Sequence, residues 1–158
     1  MRTILIVFSL TLLLVVSAGG AAGAALVVFA PLHPGETLFI AQDAAEQALV
    51  AMTRDPAKQA SSSLDLLQRR TTDLLSAQDG PFEMESMRIL NREIDQAVAL
   101  LVRVPSLAAP ALRTRLAFEL VKIQQALTGL KAAEAPQAPG FSAFKDKVDI
   151  LSALASDP

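Results

Sequence analysis

The chain has 158 residues, a formal charge of −2 and no cysteine, tryptophan or tyrosine. A near-neutral, interspersed charge pattern offers no basic face for nucleic acid. The missing cysteines exclude a disulfide framework and thiolate metal sites, and without Tyr or Trp only Phe is left as a stacking platform.

Residues 3–30 carry no charge and include fifteen Leu, Ile, Val and Phe residues. As a helix this run would span roughly 42 Å, more than the ~30 Å hydrocarbon core of a bilayer. A domain of this size could not bury it on all sides, so a membrane helix is expected. Two readings stay open. Arg2, the apolar block and the small residues 17–25 also describe a secretory signal peptide, with Ala22-Gly23-Ala24 fitting a cleavage site. Leu26-Val27-Val28-Phe29 resumes the apolar run beyond that site, which favours a retained anchor. Glu36, Asp43 and Glu46 precede the first basic residue on the far side, Arg54. The positive-inside bias therefore keeps the N-terminus in the cytoplasm and exports the rest, as a single-pass membrane protein or a secreted one. Gly19 and Gly23 form a G-x-x-x-G that would let two copies pack closely as a homo-oligomer; the same residues also suit a cleavage region, and that assignment is preferred for them.

All sixteen acidic residues and thirteen of the fourteen basic ones lie beyond the run. Residues 31–36 form a juxtamembrane turn set by Pro31 and Pro34-Gly35. A first helix is expected over 37–53, with Leu38, Ala41, Ala45, Ala48 and Met52 on its apolar stripe, Phe39 and Leu49 widening it, and Asp43, Glu46 and Gln47 off it. Asp55-Pro56 supplies an N-cap and a favoured first helical residue, so a second helix runs over 56–78 with a seam of Ala60, Leu64, Leu67, Thr71 and Leu74. Asp79-Gly80-Pro81 punctuates the chain. The third helix, 81–104, carries Met87, Leu90, Ile94, Ala97, Leu101 and Val104; the fourth, 107–131, carries Leu112, Leu116, Leu120, Ile123, Leu127 and Leu130. Residues 132–140 read as an Ala/Pro linker. Residues 141–155 form a short amphipathic helix with Phe144, Val148, Leu151 and Ala155 on one side.

The fold class is all-α. Short turns make neighbouring helices antiparallel, as a four-helix-bundle-like domain or as hairpins laid end to end.

Pro34-Gly35-Glu36-Thr37-Leu38-Phe39, then Glu46, Asp55-Pro56 and Leu67-Gln68-Arg69-Arg70 with Leu74 downstream, resembles a bacterial extracytoplasmic helical domain of unknown function. That domain is found outside the membrane anchor of anti-sigma-factor-like proteins. The likeness runs over residues 34–78 and extends more loosely to 131. It implies an exported helical fold and assigns no activity. The family commonly has a Lys and a second basic residue where this chain has Gln42 and Asp43, so any contact they make there is not implied here. Only two residues precede the apolar run, so sigma-factor binding is not implied either.

No enzyme is expected, because no nucleophile, base and orienting group can be named together. His33, the lone histidine, sits between prolines with no second ligand and reads as a spacer. Ser61-Ser62-Ser63 reads as a polar helix face. Glu83, Glu85, Glu93 and Asp95 match no Ca²⁺ loop and read as surface carboxylates. Met84 and Met87 near Phe82 read first as core packing and second as an adaptable binding patch. No cofactor and no metal is expected.

The expected partner is a protein. Its contact residues are Arg69 and Arg70, which could grip an acidic surface, and Phe141, Phe144, Val148 and Leu151 on the C-terminal helix. One of the two arginines is also expected to pair with Asp65 or Asp73. The second function class is a secreted helical protein holding an apolar ligand between its helices.

Overall fold

The computed structural model describes residues 36, 38–76, 83–129 and 140–156. Among them are five helices and no strand: α1 Phe39–Met52, α2 Pro56–Ser76, α3 Glu83–Leu101, α4 Ala109–Gly129 and α5 Phe141–Ser156. The run 3–30 with Gly19, Gly23 and the bond after Ala24 lies outside the described residues, as do His33, Asp79-Gly80-Pro81, Phe82, Leu130 and 132–139. None of the described helices is long and apolar enough to cross a membrane. The chain divides into two compact units, Met1–Leu49 and Val50–Pro158.

In the second unit, helix boundaries follow local chemistry. The Asp55 carboxylate accepts the Lys58 backbone N–H at 2.8 Å, capping α2 behind Pro56. At the end of α3 the hydrogen bonding tightens: Arg103 N–H donates to the Leu100 carbonyl at 2.9 Å and Val104 N–H to Leu101. Pro105 then has no N–H to continue the helix. Its carbonyl instead accepts the Ala108 N–H at 3.0 Å, opening the turn into α4. Gly140 starts α5 at φ +88°, a conformation glycine adopts at no steric cost, and its carbonyl takes the Phe144 N–H.

α2 packs most extensively on α3, and α5 on α4, with α2 also lying along α4. The leucine seams are inside. Ala60, Leu64, Leu67, Thr71 and Leu74 of α2 are buried, as are Met87, Leu90, Ile94, Ala97, Leu101 and Val104 from α3 onward. Leu116, Leu120, Ile123 and Leu127 of α4 and Phe141, Phe144 and Val148 of α5 complete the same core. Each such leucine taken fully out of water contributes roughly 1.5–3 kcal/mol before chain entropy is charged against it.

Polar ties join the helices. Arg115, in the first half of α4, reaches Asp65, Gln68 and Ser61 in the first half of α2. Lys147 of α5 donates to Asn91 at 2.7 Å and pairs with Asp95 at 2.6 Å, both on α3. Asp149 accepts the Gln124 amide of α4 at 2.7 Å. The C-terminal helix is therefore clamped on both flanks of Val148, which is fully buried. The sequence pattern leaves it either docked on the earlier helices or turned to a partner; in the structure it is one of the four that pack together in this unit, α2 to α5.

In α1 the buried face is not the expected one. Of the expected stripe, Leu38, at its entry, and Ala41, Leu49 and Met52 are exposed, Ala45 and Ala48 are half-buried and only Phe39 is buried, joined by Gln42, Glu46 and Val50. Gln42 and Glu46 sit one turn apart, and the Gln42 amide donates to the Glu46 carboxylate at 3.0 Å. That bond offsets part of the cost of taking both groups out of water.

Candidate functional site

A groove of about 470 Å³ opens between the first half of α3 and the start of α5. Met84, Met87 and Asn91 line it from α3, and Gly140, Phe141 and Phe144 from α5. The helical period of α3 sets 84, 87 and 91 on one face. Met87, Phe141 and Phe144 are buried while Met84 is half-exposed, so the wall grades from core to solvent. Gly140 at its positive φ turns the chain into α5 beside the opening.

The rim is charged but self-paired. Arg88 holds Glu85 through two nitrogens, Nε at 2.9 Å from Oε2. That bond, with the charge of Arg88 and Arg92 behind it, lowers the Glu85 pKa below its ordinary value. With Glu85 and Arg88 offsetting each other, what the groove offers is apolar surface and the Asn91 amide, itself engaged by Lys147. Such a surface can shelter an apolar body. The methionines adapt its shape because their chains are unbranched and polarisable.

The other expected site residues fall elsewhere. Arg70 is 1% exposed and its Nη1 lies 3.2 Å from Asp73 Oδ2, so it pairs within its own helix and presents no surface charge. Arg69 is half-buried. Asp65 takes Arg115 of α4. Phe141, Phe144 and Val148 face the core, and Leu151 packs partly buried against it. The exposed apolar residues of α5 are instead Ile150 and Leu154. The structure brings Phe141 and Phe144 together with Met84 and Met87 and leaves Arg69 and Arg70 apart from them.

Glu93 is read from sequence as a surface carboxylate, but it is fully buried and ion-paired with the adjacent Arg92 at 2.7 Å. Glu119 is likewise buried, and Lys122 reaches its Oε1 at 3.0 Å while resting over the Phe118 ring. Asp95 lies on the surface and holds Lys147. Among the described residues no group of three or more His, Cys, Asp or Glu side chains is placed to hold a metal ion.

Gln42, Glu46, Arg70, Glu93 and Glu119 are among the buried polar residues that the apolar periodicity passes over. One signal was present: Phe39, Gln42, Glu46 and Val50 recur at spacings of three, four and four, a second stripe disguised by its polar members.

No protein-family model, no curated protein and no solved structure matches the chain.

Proposed function

We propose that the chain is a membrane-anchored extracytoplasmic helical module that acts through protein contacts, a sensor-like or scaffold part without catalytic activity. The observation that carries this reading is the uncharged run 3–30, followed by acidic residues ahead of the first basic one. The resemblance to the extracytoplasmic domain near anti-sigma-factor anchors supports the same location, with the helical unit outside and the N-terminus in the cytoplasm. Intact mass and membrane fractionation test it: the expected result is a full-length chain that stays with membranes after alkaline extraction. A mature chain beginning at Ala25 in the soluble fraction would remove the anchor. Crosslinking in the native envelope then tests the protein contacts, and an absence of crosslinked species from the helical unit would remove that part.

A second reading is a secreted helical protein that binds an apolar ligand. The groove between α3 and α5, with its Met84, Met87, Phe141 and Phe144 walls, favours it. Native mass spectrometry of the protein purified from its own envelope distinguishes the two, since a bound apolar molecule would be retained and lost on Phe144→Asp.

A further inference from the structure

We infer that one end of the second unit docks on an anionic lipid surface. This end gathers the turn between α3 and α4, the start of α2 and the last turns of α5. Val102, Arg113, Leu116, Leu151 and Leu154 surround one apolar groove of about 210 Å³ there. Immediately beside it, the turn at residues 102–108 carries the two most exposed large apolar side chains among the described residues, Leu107 at 97% and Val102 at 82%. Leu154, at 66%, adds to them from α5. Apolar side chains raised this far on one tight turn, next to an open apolar groove, mark an interaction surface.

The charge at this end identifies the partner. Arg103 on the turn and Arg113 just beyond it are exposed, and the stretch from Gln96 to Phe118 contains no acidic residue. Arg115, early in α4, reaches Ser61 and Asp65 in the first half of α2, so the beginning of α2 lies toward the same end and contributes exposed Arg54 and Lys58. The carboxylate described there is Asp55, which caps α2 through the Lys58 N–H; Asp157 lies outside the described residues. Four cations around protruding Val and Leu side chains match an anionic bilayer, where the apolar groups enter the acyl boundary and the cations stay among the headgroups. A second copy fits less well, because a two-fold contact would set this basic end against itself.

The inference draws on the membrane attachment proposed above only for the nearness of a bilayer, and the two fail separately. The chain has no cysteine, so single-cysteine variants report one position each. Full-length Leu107→Cys and Ser142→Cys, the latter exposed at the opposite end, are labelled with an environment-sensitive dye. Each is reconstituted in vesicles of phosphatidylcholine alone or mixed with phosphatidylglycerol, carrying an acyl-chain quencher. Docking requires quenching at 107 in the mixed vesicles, reversal by high salt, and no quenching at 142. Arg103→Gln with Arg113→Gln should weaken it by about fivefold per charge removed.

Equal accessibility at 107 and 142 in the mixed vesicles would overturn the inference, as would quenching indifferent to phosphatidylglycerol. Shielding of 107 in detergent that grows with protein concentration would also overturn it, in favour of self-contact. A chain that resists alkaline extraction from the vesicles yet shows no quenching at 107 sinks the docking and leaves the anchor. Salt-reversible quenching by a chain that alkali removes sinks the anchor and leaves the docking.

Discussion

The α2–α3 hairpin and α1 are both apolar enough to be helices with a hidden side, yet their hidden sides are chosen differently. In α2 and α3 large apolar residues recur every three or four residues and most of the other positions are polar, so one face is far more costly to expose than any other. All eleven positions of those two expected seams are buried. In α1 alanines surround the helix and larger apolar residues lie on several sides: Ile40 is 79% exposed while Glu46 is 2% exposed. Where no stripe dominates, the buried face goes to whichever side best satisfies its polar groups as well as its apolar ones. The Gln42–Glu46 bond lowers the cost of burying that side of α1.

Leucine truncation should break or sharpen the contrast most strongly. Leu90→Ala, at a fully buried position of α3, is expected to cost about 3–4 kcal/mol in urea unfolding. Ile40→Ala on α1 should stay within about 0.5 kcal/mol. If the two substitutions cost the same, α1 has a different buried face from the one described. Next comes Asp73→Ala, which leaves the buried Arg70 guanidinium without this ion pair. A loss of about 3 kcal/mol is expected, and a double-mutant cycle with Arg70→Met should recover most of it, because removing both charges removes the burial penalty.

Glu46→Ala probes the corresponding polar burial in α1. It withdraws the acceptor of the Gln42 amide and should cost about 1–3 kcal/mol by the same denaturation measurement. A surface-like value near zero would mean that α1 obeys its alanine stripe after all. The smallest expected effect is electrostatic and belongs to the exposed side of α3. Arg88 lowers the Glu85 pKa, so the folded state holds this carboxylate ionised more tightly than the unfolded chain does. The resulting stability is fully present above the ordinary glutamate pKa and is lost as pH falls through the lowered one. Glu85→Gln should therefore flatten the acid limb of the stability curve slightly without altering stability near neutrality by more than a surface pair allows. A change near neutrality as large as that of Asp73→Ala would contradict the exposed placement of the pair.

Much of the helical order was legible because its signals are local. Asp55 before Pro56 marks a start, and Pro105 marks a stop. The amphipathic pattern of α5 was equally plain, but a period says which side is buried and not against what. Phe144 and Val148 suit either a partner or the bundle itself until α4 is placed beside them. The groove was only half visible for the same reason: Met84 and Met87 stand out on one helix, while the phenylalanines facing them lie more than fifty residues away.

The sequence by itself determined the all-α class, the seams of α2 and α3, the part of the α4 seam from Leu116 to Leu127, and the separation of an uncharged run from a charged remainder. These follow from hydrophobic period and chain-breaking residues, which act over a few turns. Tertiary structure alone decided that Arg70, Glu93 and Glu119 would be buried, that α5 would be a core member, and that Leu107 and Val102 would stand exposed on a turn that also carries exposed Arg103. A charged side chain can be buried only where neighbours exclude water and nearby groups offset its charge. That depends on contacts between distant parts of the chain, which no local pattern records.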